Sequence, residues 1–175
     1  HYQYGQFLYA SGQWIEAASE FQASLNSRPD HGPAQFQMAV ALNKLGRNDE
    51  ALAAARRAAE LLPNELTVHR FYQDLAISIG KRADVIADYL NLVEQNSQSG
   101  LHQYLYGRVL DDPEAAQFRF ELAAHHAPNA FWPLYALGIQ AFLRRDYDAA
   151  RDSMESAAKA SDSEADRARL YLCLI

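Results

Sequence analysis

The sequence predicts an all-α fold made of a run of paired helices, and three observations predict it. A shift of 34 residues lays the chain on itself: Gly46 falls on Gly12 and on Gly80, Ala51 on Ala17, and Pro63 on Pro29. A fixed interval of this length is the mark of one two-helix unit repeated in series. The stretch between those marks, residues 32–65, reads GPAQFQMAVALNKLGRNDEALAAARRAAELLPNE. It divides at Gly46 into two segments of helix formers, the second being almost entirely strong ones, and closes on Pro63. Small residues recur where two paired helices would touch, so the backbones approach closely and larger neighbours fill the flanks.

Taken in order, residues 1–31 form the first unit, short of its opening positions. Gly5 is the small contact, Gly12 the turn, Ala17 and Phe21 face inward beside Trp14 and Leu25, and Pro29 closes it. Residues 32–65 repeat the pattern with Ala39, Gly46, Ala51, Ala58 and Pro63, and Asn48-Asp49-Glu50 place acidic groups at the positive end of the second helix. Residues 66–99 keep the interval but are degenerate: Gln73, Val85 and Leu92 stand where Ala39, Ala51 and Ala58 stood. Bulk at these places is expected to widen or re-angle the hairpin. Ala51→Leu should then overpack the second unit at a cost of about 1–3 kcal/mol, and the same swap at Val85 should matter much less. Ser97 replaces the closing Pro, and Gln95 to Gly100, QNSQSG, reads as the most linker-like hexapeptide of the chain.

Residues 100–130 recover the pattern with Gly107, Ala116, Phe120, Ala123 and Pro128. Pro128 lies 31 residues after Ser97, so three residues are missing, and the regular spacing on both sides puts the gap between Leu110 and Ala116. Asp112 as N-cap and Pro113 at the first helical position start the second helix at once, which predicts a shortened first helix and a local kink. Residues 131–164 return to period with Gly138, Tyr147, Ala150, Met154 and Ala157, and an extra helix is expected over 165–175. His1 falls partway through a first helix by this register, and the last residues, LYLCLI, have no polar face. An array normally ends on a solvating cap, so a piece of a longer chain is expected.

Bulk composition agrees with a folded chain: of 175 residues, 49% are hydrophobic and 22% charged. The net charge of −6 points away from nucleic acid, whose binding rests on Lys and Arg neutralising phosphates. One cysteine, Cys173, makes neither an internal disulfide nor a thiolate metal cluster, and fits a reducing compartment such as the cytoplasm. No stretch approaches the roughly 18 apolar residues of a membrane span.

These residues resemble the tetratricopeptide repeat, whose pattern has small residues at the helix contacts, a turn Gly and a closing Pro. The resemblance implies a right-handed α-solenoid of stacked antiparallel helix pairs, about five units and one further helix in a single domain over 1–175. It also implies that the first helix of each pair lines a concave groove that holds a peptide segment or helix of a partner protein. On that register the groove carries Tyr2, Gln6 and Tyr9, then Phe36, Gln37, Val40 and Asn43, then Arg70, Phe71 and Asp74. Tyr104, Leu105 and Arg108 follow, then Trp132, Tyr135, Ile139 and Phe142, and finally Arg169. Aromatic anchors with a few Arg are the composition of interface hot spots. The alternative place for each ring is between neighbouring repeats, as core. One branch of the family clamps chaperone C-termini with Lys, Asn and Arg at fixed positions; Tyr2, Gln6 and Gln37 stand there, with Phe71 further on, so a chaperone adaptor is not implied.

Chemistry is sparse. The adjacent His125 and His126 point in different directions on a helix, no His-x-x-x-His pair occurs, and the other histidines are scattered. Ser156-Ala157-Ala158-Lys159 has the form of a Ser-x-x-Lys nucleophile, but Ala157 is a repeat contact and no companion motif is present. No phosphate loop, nucleophile elbow or dinucleotide fingerprint occurs. The sequence therefore points to a non-enzymatic scaffold without metal or cofactor. Its alternatives are a regulatory or targeting segment of a larger, catalytic polypeptide, and a self-assembling scaffold joined through its apolar last helix.

Overall fold

The computed structural model describes residues 1–161 and 163–175, so the fifth repeat is described except at position 162. Eleven α-helices and no strand occur among the described residues: α1 (Tyr2–Ala10), α2 (Trp14–Ser27), α3 (Gly32–Lys44), α4 (Asn48–Leu61), α5 (Leu66–Ser78), α6 (Arg82–Gln95), α7 (Gly100–Val109), α8 (Pro113–His126), α9 (Phe131–Leu143), α10 (Tyr147–Ala160) and α11 (Ala165–Leu172). No helix is long and apolar enough to cross a membrane among the described residues. The chain divides into two compact units, His1–Arg82 and Ala83–Ile175, and the division falls within the degenerate third repeat.

In the first unit each helix from α2 to α5 packs on the one before it. In the second, α8 packs on α7, α9 on α8, α10 on α9 and α11 on α10. Both the tight turns and the small contacts come directly from the periodic residues. Gly12, Gly46 and Gly80 adopt φ of 77°, 72° and 78°, where a Cβ would be strained. The N–H of the next residue then reaches five residues back: Gln13 to the Leu8 carbonyl at 2.9 Å, Arg47 to Leu42 at 3.0 Å, and Lys81 to Ala76 at 2.8 Å. This closure satisfies helix-end carbonyls that would otherwise lack partners. The turn between α9 and α10 has the same geometry, with Asp146 N–H on the Ala141 carbonyl at 3.0 Å, but the left-handed place is held by Arg145 at φ 64°.

Each small residue has a large one across the hairpin. A Cβ on Gly5 would lie 2.7 Å from the Phe21 ring, one on Gly107 2.7 Å from the Phe120 ring, and one on Gly138 2.8 Å from Met154 Cε. Ala17, Ala51, Ala150 and Ala157 are wholly buried, as are Ala39 and Ala58. The helices therefore close on one another because the ring or thioether of one occupies space a larger residue of the other would need.

The fourth repeat is shortened as its spacing predicts. α7 has 10 residues where α3, α5 and α9 have 13. Asp112 caps α8 by accepting from the N–H groups of Glu114 (3.2 Å) and Ala115 (3.3 Å), with Pro113 first in the helix. Two expectations are corrected. QNSQSG is not a linker: Ser99 caps α7, and buried Gln103 donates to the Ser97 carbonyl at 2.8 Å, just as His69 meets the Pro63 carbonyl at 3.1 Å one period earlier. Loss of the Pro ring left its carbonyl contact in place. Val85, for its part, is wholly buried, so it offers no spare room for a larger side chain.

Candidate functional site

On α1, Gln6 is exposed and donates from Nε2 to the Tyr2 hydroxyl at 3.1 Å. The Tyr2 ring is half-buried, edge-on to His31 at 4.8 Å and tilted against Phe21 at 6.0 Å. Tyr9 packs partly buried on the cluster of Leu8, Ala17 and Ala41. Phe36 rests on Ala58, Ala59 and Val68, and its ring meets Phe71 of α5 edge to face at 5.6 Å. Gln37, Asn43 and Arg70 are half-buried, and Asp74 is exposed. Within the first unit the structure thus brings Phe36 and Phe71 together, and joins Tyr2 to Gln6, while the polar residues remain at or near the surface.

In the second unit the expected residues separate into two kinds. Tyr104 is 4% exposed, with its ring 5.8 Å from Phe120, and Leu105 is wholly buried; both belong to the α7–α8 interior and not to a surface. Arg108 is half-buried. The α9 residues instead form an open-edged ring cluster. Buried Phe131 stacks on Tyr135 at 5.2 Å and meets Trp132 edge-on at 5.0 Å. Tyr171 of α11 stands edge-on to Tyr135 at 5.9 Å and to Phe142 at 5.6 Å. The Arg167 guanidinium lies 5.6 Å from the Trp132 ring centre. Exposed Arg169 pairs with Asp166 at 3.0 Å.

Such edge-to-face pairs contribute about 0.5–1.5 kcal/mol each beyond burial, so α11 is joined to α9 by ring contacts rather than by charge. Burial, reinforced by the neighbouring Tyr171, holds the Tyr135 hydroxyl above its ordinary value, with Arg167 acting the other way. Trp132, Tyr135, Ile139 and Phe142 nevertheless remain only partly buried. Both readings of the rings hold here, since one edge packs within the unit and the other is open.

Two clefts were not anticipated. One, of about 560 Å³, runs between α2 and α4 over α3 and is bordered by Ile15, Ala18, Gln22, Met38, Glu50 and Ala54. The alanine-rich α4 is the available sequence signal: its short side chains leave a trough beside exposed Ile15. The other, of about 410 Å³, lies where the fourth repeat is three residues short. Among the described residues, no group of three His, Cys, Asp or Glu side chains is placed to hold a metal ion.

Paired helices repeated at a fixed interval, closed by left-handed turns and small-against-large contacts, define a helical-repeat protein. Residues 8–75 match the tetratricopeptide repeat family model, and this segment belongs to that family. Solved structures share the fold over nearly the whole chain. A thermophilic TPR protein of Thermus thermophilus is similar at 17% identity and TM-score 0.66, covering 97% of this chain and 94% of its own. PilF of Pseudomonas aeruginosa is similar at 16% identity and TM-score 0.62, over 91% of this chain and 74% of its own. YrrB, a TPR protein with an unusual peptide-binding site, is similar at 11% identity and TM-score 0.55, over 99% and 90%. No curated protein matches the chain in sequence.

Proposed function

We propose that this chain is a protein-interaction scaffold that holds a peptide segment or helix of a partner against its first-type helices, with the α9 rings as principal anchors and the Phe36–Phe71 pair as a second. The observation that carries the reading is the partial burial of Trp132, Tyr135 and Phe142, each fixed on one edge by Phe131, Tyr147 or Tyr171 and open on the other. Rings already held in place lose little freedom when a partner covers them. Full burial of one contributes roughly 1.5–3 kcal/mol, so two or three anchors reach micromolar affinity after the costs of association. YrrB is described as binding peptide, which supports the class of ligand without locating its site here.

The test is to select a peptide from a displayed random library and measure its affinity for the purified chain by fluorescence anisotropy. Trp132→Ala and Tyr135→Ala should each weaken binding at least about tenfold while far-ultraviolet circular dichroism retains the helical content. Ser19→Arg and Ala53→Arg, placed at the α2–α4 trough, should leave it unchanged. Loss of binding through the trough variants alone would move the site to the second-type helices and sink the proposal.

Self-association is a second reading, favoured by the last helix: Leu170 is 64% and Leu174 63% exposed. An apolar face of this kind can meet another copy head to tail. Light scattering should then give a mass rising with concentration, and Leu170→Glu with Leu174→Glu should abolish the rise. A monomeric mass throughout would dispose of the idea.

A further inference from the structure

The three residues missing from the fourth repeat leave a second feature, apart from the ring cluster. The end of α7, the start of α8 and the last turn of α9 border a cleft of about 410 Å³. Its apolar lining comes from Leu110, Ala116, Phe120 and Leu143, and Leu143 is 74% exposed although it ends an otherwise packed helix. Gln140, also in the lining, donates from Nε2 to the Pro113 carbonyl at 3.5 Å, which orients its amide. Its Oε1 is buried and has no hydrogen-bond partner. A buried acceptor without a donor is costly, and a ligand N–H relieves it. Arg144 sits on the rim, donating to the neutral Gln117 amide.

We propose that this notch binds a short acidic peptide segment of a partner protein. An apolar side chain of leucine size enters between Leu110 and Leu143, the adjoining backbone N–H donates to Gln140 Oε1, and a carboxylate on the next residue meets the Arg144 guanidinium. The volume suits one large side chain with its backbone and falls within the range of ligand sites, which begins at about 300 Å³. Asp111 also lines the cleft, so the incoming carboxylate belongs at the Arg144 rim and not deeper. Of the first-helix residues assigned to partner binding, Arg108 alone reaches this lining, so the notch acts separately from the α9 rings.

The test uses the whole chain labelled with nitrogen-15 and titrated with the probe N-acetyl-Gly-Leu-Asp-Gly-amide, followed by amide chemical shifts. The expected result is a saturable shift at Gly107, Leu110 and the Gln140 side-chain amide. Binding should weaken about fivefold when Asn replaces Asp in the probe, and by a similar factor in Arg144→Gln. Leu143→Ser should weaken it as well. Both substituted side chains are exposed, so the rest of the spectrum should be unchanged. No shift at these residues by about 10 mM probe, or shifts confined to another surface, would overturn the proposal. Equal affinity for the Asp and Asn probes would mean an apolar slot without recognition of the acid, and would overturn it too.

Discussion

Arg145 occupies at φ 64° the turn position that Gly12, Gly46 and Gly80 hold in the earlier repeats. For an L-residue with a Cβ this conformation costs about 1–2 kcal/mol, whereas glycine adopts it without strain but loses more freedom on folding. The side chain is exposed, so no packing offsets the strain. Arg145→Gly should therefore stabilise the chain by about 0.5–1 kcal/mol, seen as a higher denaturant midpoint at unchanged slope. A destabilised variant would mean that the Arg145 side chain makes a contribution its exposure does not suggest. At this same scale the periodic glycines were legible in the sequence because their role is local. The Arg145 turn was not, since nothing in the residue type announces a positive φ. Tyr104 and Leu105 were misplaced for a related reason. Register assigns a residue to a helix, but whether it faces a partner or its own hairpin depends on what lies across, here Phe120.

At the scale of the helical pair, closeness is set by a small residue against a large one: Gly5 against Phe21, Gly107 against Phe120, Gly138 against Met154. The second repeat reaches the same closeness with alanines, since Ala39, Ala51, Ala55 and Ala58 are all wholly buried. Ala51→Leu should cost about 1–3 kcal/mol by overpacking. Val85→Leu, which the sequence alone suggested would be tolerated, should cost about 1 kcal/mol because Val85 is equally buried. Urea unfolding of both variants checks this; a Val85→Leu midpoint equal to the parent's would restore the idea of spare room in the third repeat. The helix boundaries of the fourth repeat were readable because Asp112 and Pro113 specify a start by themselves. The order in QNSQSG was not, because it rests on a contact from Gln103, six residues beyond the Ser97 carbonyl it engages.

At the scale of the whole molecule, the interval of 34 residues and its one contraction to 31 carried the fold class, the order of the helices and the shortened α7. Much less of the candidate site was readable. The α9 rings were found because aromatic residues at helical spacing stand out, yet their contact with Tyr171 required α11 to be in place. The α2–α4 trough and the notch beside α9 were invisible because a cleft is made by what is absent between side chains. The central claim is that half-open rings on the first-type helices form the contact surface, and the two tryptophans can test it separately. Trp132 lies on α9, while Trp14, 38% exposed, lies on the second-type helix α2. The most direct measurement is acrylamide quenching of Trp14→Phe, in which Trp132 is the remaining tryptophan, with and without a bound library-selected peptide. The account predicts that peptide binding shields Trp132 and reduces its quenching, while Trp14 in the Trp132→Phe variant is unaffected. Unchanged quenching of Trp132 at saturating peptide, with Trp14 shielded instead, would contradict it.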